Sequence, residues 1–175
     1  MRITPEYKAL QEQLHAKGNY GVSGAKHADR ILSLVQKLQT KDVLDYGCGQ
    51  HTLQKNIPFP IQEYDPCIPG FDTEPVPADI VTCTDVMEHI EPECLFDVIQ
   101  HLHRLTKKVL FLDIAQRPAQ KYLADGRNAH LIQQETMWWL QKLDPYFELH
   151  SVQTYTGGFV MVATPRVIQE LMGQA

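Results

Sequence analysis

The chain has 175 residues, of which 43% are hydrophobic and 21% are charged, which is the composition and length of one ordinary soluble domain. Its 16 Lys and Arg and its 21 Asp and Glu give a formal net charge of −5, and no run concentrates the cations, so a DNA-binding groove is not expected. No apolar run approaches the roughly 18 residues that span a bilayer, and the first residues lack the apolar segment of a signal peptide, so a cytoplasmic location is expected.

The first part of the chain predicts two helices, then a strand and a glycine turn. Apolar residues at helical spacing predict a helix that begins near Pro5 and a second one over Ala28–Leu38, with a glycine-containing break at Gly18–Gly24. The apolar run Asp42–Tyr46 predicts a strand. It ends directly in Gly47-Cys48-Gly49, which predicts a tight turn at the end of the strand.

The rest of the chain alternates strands with helices and closes on a hairpin. The dense prolines of Pro66–Pro77 predict a loop, and residues 115–130 are irregular. Further strands are predicted at Ile61–Tyr64, Asp79–Thr84 and Val109–Ile114, helices at Thr52–Asn56, from Pro92 to Leu105 and at Gln134–Leu143, and a terminal antiparallel hairpin at Phe147–Tyr155 and Phe159–Thr164. This order predicts an α/β fold, with a mostly parallel sheet that has helices on both faces.

Three further features are predicted to be structural. The four cysteines form no CxxC pair, so we expect reduced, packed thiols. His101 and His103 lie two residues apart on a helix and therefore point to different faces, which favours a solvated helix surface over a shared metal. Trp138 and Trp139 are interpreted as core packing, with a cofactor wall as the alternative.

Two acidic strand ends carry the strongest chemical signal. Asp45 ends a strand and is followed by Gly47 and Gly49, which allow the backbone to approach a ligand closely. Asp65 ends the next strand, where one carboxylate can accept hydrogen bonds from both hydroxyls of a ribose. A phosphate-binding loop fits less well, because position 52 is Thr52 and no lysine follows as in that motif.

Together with a third strand end, these residues resemble a known family. Asp45-Tyr46-Gly47-Cys48-Gly49, then Asp65, then Asp85-Val86-Met87-Glu88-His89 resemble the class I S-adenosylmethionine-dependent methyltransferases, in particular their small-molecule branch with a Leu-Glu-His signature. The resemblance covers about residues 20–164. It implies one domain over residues 1–175, with N-terminal helices in residues 1–40, and a Rossmann-like sheet of six or seven strands.

The resemblance also implies a set of cofactor contacts. The glycine turn would bind the amino-acid end of S-adenosylmethionine and Asp65 its ribose, while Thr84 and Asp85 would lie beside the methionine moiety. Each residue also has a structural interpretation, since glycines simply make turns and Asp65 can cap a loop. A proline-rich segment replaces the family's usual helix and third strand, and Asp72 is the candidate for the adenine amino group. The expected cofactor-binding residues are Asp45, Gly47, Cys48, Gly49, Asp65, Thr84 and Asp85.

The candidate catalytic residues are Glu88, His89 and His130. Methyl transfer is an in-line displacement, so an enzyme positions the nucleophile and removes the proton of a hydroxyl, for which a His or Glu suffices. In some O-methyltransferases of this fold, an acid three residues before the Glu, the Glu-His pair and a later His bind a divalent metal. Asp85 completes that pattern here. The alternative is that Glu88 and His89 only stabilise their loop.

The predicted function is methyl transfer to an oxygen or nitrogen of a small-molecule acceptor. The motifs that methyltransferases of DNA bases carry directly after the corresponding strand are absent after the strand that begins at Asp79. Cytosine C5 methylation needs a Pro-Cys pair at that place, but Pro66-Cys67 follows an earlier strand, on the ribose side. Two alternatives stay open: a module that binds S-adenosylmethionine or S-adenosylhomocysteine without turnover, and a methyltransferase that acts on RNA or protein. The RNA alternative needs a basic patch from Lys107, Lys108, Arg117, Lys121 and Arg127.

Two loop segments are candidates for contacts with the acceptor. Tyr20–Gly24 contains glycines that allow a flap over the cofactor, and a plain connecting loop is the alternative. Arg127 lies in the long irregular segment and is the candidate partner for an anionic acceptor, with a solvated loop as the alternative.

Overall fold

A computed structural model describes residues 1–18 and 20–167. Its α-helices are α1 (Pro5–His15), α2 (Ala28–Leu38), α3 (Leu95–Leu105) and α4 (Thr136–Leu143). Its strands are β1 (Val43–Tyr46), β2 (Gln62–Tyr64), β3 (Ala78–Thr84), β4 (Thr106–Ala115), β5 (Phe147–Tyr155) and β6 (Gly158–Pro165). In this part of the chain, no helix is both long and apolar enough to cross a bilayer.

The strands form one sheet in the order β2-β1-β3-β4-β6-β5. The four strands from β1 to β4 are parallel to one another, whereas β6 runs antiparallel to β4 and pairs with β5 as the terminal hairpin. The predicted α/β class, the mostly parallel sheet and the C-terminal antiparallel hairpin are confirmed, and of the six or seven strands expected the described residues contain six.

Helices cover both faces of the sheet because alternate side chains of each strand point in opposite directions. On one face, α3 and α4 pack against β1, β3 and β4, with Trp139 and Phe147 fully buried. On the other face, α2 packs through Ile31 against Phe111. Trp139 is thus part of the core, as predicted, and the four cysteines are buried and unbridged.

The prediction of a solvated surface was wrong for His101. This side chain is only 1% exposed, with Nδ1 3.0 Å from the Tyr46 hydroxyl and Nε2 2.9 Å from a carboxylate oxygen of Glu74. Burial lowers its pKa to about 4. The strand after α3 also begins earlier than predicted, since β4 starts at Thr106 rather than at Val109.

Candidate functional site

The carboxyl ends of β1, β2 and β3 meet at one edge of the sheet and open into a cleft, which we call the strand-end cleft. It contains about 760 Å³ of empty space, part of it open to solvent, and is lined by Gly47, Gly49, Asp65, Asp85 and His89. A smaller recess adjoins it, lined by Asp45, Cys48 and Thr84 together with Gly47 and Asp85. All seven residues predicted to bind the cofactor therefore line this edge of the sheet.

The glycine turn after β1 requires glycine at position 47. Gly47 has φ +83°, and a Cβ built there would lie 2.3 Å from Cγ2 of Val86. The backbone N–H groups of Gly47 and Cys48 donate to the carbonyl of Tyr64, which anchors the turn on β2. The turn is therefore held close to the end of β3, with the side chain of Val86 packed against Gly47.

Asp65 is held at the mouth of the turn by two backbone donors. One carboxylate oxygen accepts from the N–H of Gly49 at 3.2 Å, and the other accepts from the N–H of Cys67 at 2.9 Å. The side chain thus bridges the ends of β1 and β2 inside the cleft. Asp72 does not line the cleft and instead forms a surface ion pair with Lys8 at 3.4 Å, which is against a role at the adenine.

Asp45 is a buried carboxyl group with a raised pKa. Burial, with Glu63 and Asp65 nearby, raises its pKa from about 3.8 to about 8. A cationic ligand placed in the recess would lower this pKa again, because an opposite charge favours the ionised carboxylate. The recess is therefore suited to a cationic group of a ligand, such as an ammonium group.

This raised pKa predicts how Asp45→Asn changes the stability of the free protein. The folded chain keeps a proton that the unfolded chain releases, so the Asp45 contribution to the free energy of unfolding declines as pH rises from about 4 to about 8. We expect the stability difference, variant minus wild type, to increase by up to about 1.4 kcal/mol per pH unit in that range. Urea unfolding of both proteins at pH 5, 6, 7 and 8 measures this stability difference. A difference that stays constant with pH would contradict the prediction.

The segment Tyr20–Gly24 lies over the glycine turn. The carbonyl of Gly21 accepts from the N–H of Gln50 at 2.8 Å, and the Tyr20 hydroxyl lies 3.0 Å from Nδ1 of His89. This segment is therefore placed where a flap over the cleft would be, and its mobility stays a prediction. His15 also lines the cleft, and its buried Nδ1 has no hydrogen-bond partner within the described ranges, a feature that sequence spacing did not indicate.

The contact between this segment and the turn predicts a specific cost for Gly49→Ala. An added Cβ would lie 2.4 Å from the carbonyl oxygen of Gly21, whereas nothing lies within 4 Å of one added at Gly70. Both glycines have positive φ, so the difference in stability between the two alanine variants measures the effect of the clash. We expect Gly49→Ala to lower the free energy of unfolding by about 1–3 kcal/mol more than Gly70→Ala. Equal losses in urea unfolding would argue against the packed arrangement.

Four side chains converge beside the cleft in what we call the Asp-Glu-His-His cluster. Asp85, Glu88, His89 and His130 each offer one ligand atom, and these atoms all lie within 4.8 Å of one another. The first three follow β3, in and next to a short 3-10 helix. His130 joins them because the N–H of Ile132 donates to the carbonyl of Glu88, which ties the long loop to this helix.

Backbone carbonyls orient both histidines of the cluster. Nδ1 of His89 lies 2.7 Å from the carbonyl of Ala129, and Nδ1 of His130 lies 2.6 Å from the carbonyl of Arg117. A carbonyl can only accept, so each Nδ1 carries the proton and each Nε2 keeps a lone pair. Burial lowers the pKa of His89 to about 4, which keeps this ring neutral. This is the arrangement found for histidines that bind metals.

The carboxylates of the cluster also include a buried oxygen atom that has no hydrogen-bond partner among the described residues. Glu88 is fully buried, and one of its oxygens accepts from the N–H of Ala115 at 2.7 Å, while the other has no partner within the described residues. Burial and the neighbouring Asp85 raise its pKa well above the ordinary range. Asp85 itself has φ +60° and accepts from the Ser23 hydroxyl at 2.7 Å. A divalent cation would satisfy the unpaired oxygen and remove the repulsion between the two carboxylates.

The basic patch that the RNA alternative requires does not assemble among the described residues. Lys107 and Lys108 lie at the start of β4 and Arg117 beyond its end, so they belong to opposite edges of the sheet. Lys107 pairs with Asp42 and Lys108 with Asp79. Arg127, the candidate partner for an anionic acceptor, pairs with Asp125 and lies over the ring of Tyr7.

No family model and no curated protein matches this sequence. Solved structures do resemble the fold. A Burkholderia thailandensis 1,6-didemethyltoxoflavin-N1-methyltransferase, solved with that compound and S-adenosylhomocysteine, is 15% identical with a TM-score of 0.63, and the match covers 93% of this chain and 91% of that one. Magnesium protoporphyrin IX methyltransferase from Synechocystis PCC 6803, with bound S-adenosylhomocysteine, is 17% identical with a TM-score of 0.58, covering 83% and 84%. The chain has the class I methyltransferase fold.

The class I methyltransferase fold gives the two sites a common location. In open α/β sheets, ligands bind at the carboxyl ends of the strands. The strand-end cleft and the Asp-Glu-His-His cluster both lie there, and Asp85 belongs to both. Residues of the cluster are therefore next to any ligand held in the cleft.

Proposed function

We propose that this chain is an S-adenosylmethionine-dependent methyltransferase that transfers a methyl group to an oxygen of a small-molecule acceptor. The observation that carries the proposal is that Asp85 lines the strand-end cleft and also belongs to the Asp-Glu-His-His cluster. A cofactor in the cleft and an acceptor at the cluster would therefore be neighbours. Such proximity is the main requirement of an in-line transfer.

The strand-end cleft offers complementary groups for each part of the cofactor. The Asp65 carboxylate lies at the end of β2, where it can accept hydrogen bonds from both ribose hydroxyls. Asp45 and the glycine turn accept the charged amino-acid end, and Thr84 lines the same recess. The segment Tyr20–Gly24 covers the turn and limits access of water to the bound cofactor.

The donor set of the cluster fits a divalent cation. Asp85, Glu88, His89 and His130 would hold it through two carboxylates and the two Nε2 atoms that backbone carbonyls leave available. When bound, such a cation acts as a Lewis acid that makes a hydroxyl easier to deprotonate. Mixed nitrogen and oxygen ligands suit ions such as Mn²⁺, Fe²⁺ or Zn²⁺ better than Mg²⁺.

The chain's own side chains position the acceptor and receive its proton. In the cation-free cluster, a hydroxyl that faces it can donate to Nε2 of His130, because Nδ1 of this ring is the atom that donates to a backbone carbonyl; in the cation-bound cluster, Nε2 would be a ligand instead. Proton removal of this kind typically accelerates a reaction by roughly 10²–10⁴-fold. The bonds from His89 and His130 to backbone carbonyls keep both rings in place while this happens.

A turnover assay distinguishes an enzyme from a module that only binds the cofactor. Purified protein, S-adenosylmethionine and Mn²⁺ are incubated with a panel of hydroxylated and aminated small molecules, and release of S-adenosylhomocysteine is measured. We expect release that depends on one class of acceptor and falls at least about 100-fold in His130→Ala. Tight cofactor binding without release for any acceptor would favour the binding module and contradict the proposal.

A further inference from the structure

A second cleft opens on the other side of Asp85, and we call it the basic cleft. It contains about 940 Å³ of empty space, part of it open to solvent, and is lined by the cations Lys26, Arg30 and Arg117 as well as by Asp85 and Asp113. The three cations come from separate parts of the chain: the short helix before α2, α2 itself and the loop after β4. The fold therefore brings them to one concave surface, next to the Asp-Glu-His-His cluster.

The three cations of the basic cleft have no carboxylate partner among the residues that the structure describes. Within residues 1–18 and 20–167, none of them lies within 4.0 Å of an Asp or Glu oxygen, and the Lys26 ammonium makes only a 3.4 Å hydrogen bond to the Ser23 hydroxyl. Lys107, Lys108 and Arg127 are paired, as described above. Three cations without an ion pair thus line this one cleft, in a chain whose net charge is −5.

The carboxylates of the basic cleft are already used by other donors. One oxygen of Asp113 accepts from Nε2 of His27 at 2.7 Å, and the other accepts from the Tyr155 hydroxyl at 2.7 Å. Asp85 accepts from Ser23. These hydrogen bonds leave both acids charged, so the lining carries three positive and two negative formal charges and offers a small excess of positive charge to a ligand.

A buried polar group in the same cleft also lacks a partner. His27 is 9% exposed and lines the cleft, and because its Nε2 donates to Asp113, its Nδ1 is the available atom. This Nδ1 is buried and has no hydrogen-bond partner in the described part of the chain. Because Nε2 is the donor, Nδ1 carries a lone pair, so a hydroxyl or N–H group of a bound molecule can satisfy it, beside the phosphate rather than through a phosphate oxygen.

We propose that the basic cleft binds the phosphate group of a phosphomonoester, so that the acceptor is a small phosphorylated metabolite. This inference rests on the proposed function, because it orients the acceptor hydroxyl toward Asp85 and the cluster. A phosphomonoester carries about 1.5 to 2 negative charges near pH 7, which matches three cations better than a single carboxylate does. The planar guanidinium groups of Arg30 and Arg117 suit two phosphate oxygens each.

A small phosphorylated ligand fits this surface better than a nucleic-acid chain. Binding to a chain of phosphates needs cations spread along its path, but Lys107 and Lys108 lie at the far edge of the sheet and are paired. Arg127 is paired as well. The unpaired cations of the basic cleft lie around one concavity beside the cluster, which has room for a phosphate group and the fragment attached to it.

Titration of the ¹⁵N-labelled protein with inorganic phosphate, without metal or cofactor, tests the proposal. We expect saturable shifts of the backbone amides of Arg117 and of residues 153–157, with half-saturation in the millimolar range. Arg30→Gln combined with Arg117→Gln is expected to weaken binding at least tenfold. The matched control Arg127→Gln, which removes a paired arginine, is expected to leave it unchanged. Acetate in place of phosphate is expected to bind at least tenfold more weakly.

The outcomes separate this proposal from the proposed function. If phosphate causes no shifts, or the same shifts in the double variant, the phosphate site is overturned. The proposed methyltransferase function is then tested separately, by binding of S-adenosylhomocysteine. Phosphate binding without any cofactor binding would overturn the methyltransferase instead. An oligoribonucleotide that binds more tightly with each added nucleotide and loses affinity steeply with salt would replace the small ligand by RNA.

Discussion

Replacing Asp65 with alanine is expected to weaken binding of S-adenosylhomocysteine by at least about 100-fold. Hydrogen bonds to a charged group contribute roughly 1.5–3 kcal/mol each, and the proposed pair to the ribose hydroxyls would be lost together. The variant also removes the acceptor for the N–H groups of Gly49 and Cys67, which loosens the turn that forms the floor of the cleft. Calorimetric titration of wild type and variant with the same ligand gives both dissociation constants.

Asp72→Ala is the matched control for this prediction. Asp72 is an aspartate of the same loop region, but it is exposed, pairs with Lys8 and does not line the cleft. Its removal is expected to change the dissociation constant by less than about twofold, as is usual for an exposed ion pair. Equal effects of the two substitutions would place the ribose elsewhere, and far-ultraviolet circular dichroism of both variants would exclude unfolding as the cause.

Glu88→Gln is expected to weaken binding of Mn²⁺ at least about 100-fold, because it replaces a buried anionic ligand atom by a neutral amide. Binding of S-adenosylhomocysteine is expected to stay within about twofold of wild type, since Glu88 does not line the strand-end cleft. The amide can still accept from Ala115 and can donate to Asp85, so the fold should tolerate it. Electron paramagnetic resonance of free Mn²⁺ measures the binding.

A second trio of residues provides the control for the metal site. Cys48, His51 and Glu63 also offer ligand atoms within 4.8 Å of one another, but His51 already contacts Glu63 at 3.0 Å. Glu63→Gln is therefore expected to leave the Mn²⁺ affinity unchanged. Loss of Mn²⁺ binding in Glu63→Gln, with retention in Glu88→Gln, would move the metal to this trio and remove the basis for an oxygen acceptor.

The sheet and the cleft could be predicted because their signals are local. An apolar run that ends in an acid and two glycines defines both a strand and its turn, so the strand that contains Asp45 and the turn through Gly47 and Gly49 followed from spacing alone. Their binding of a cofactor stays a prediction. Asp65 was predicted in the same way, as the acidic residue at the end of the next strand. The terminal hairpin was visible because alternation of side chains and a glycine pair are both short-range patterns.

Contacts between distant segments could not be predicted. His101 is buried because Tyr46 and Glu74 reach it from two other segments, which helical spacing does not show. The pairing of His27 with Asp113 joins residues 86 positions apart, and no motif marks it. Arg127 was a candidate for an anionic acceptor, but Asp125 two residues before it is a nearer partner.

The central claim is that the strand-end cleft binds S-adenosylmethionine, and calorimetric titration of the wild-type protein with S-adenosylhomocysteine tests it most directly. We predict one site per chain with a micromolar dissociation constant. At pH 6.5, we also predict release of protons in two buffers of different ionisation enthalpy, because the bound ammonium group shifts the raised pKa of Asp45 downward. Absence of binding at millimolar ligand would contradict the account and leave the chain with the fold of a methyltransferase but without its cofactor.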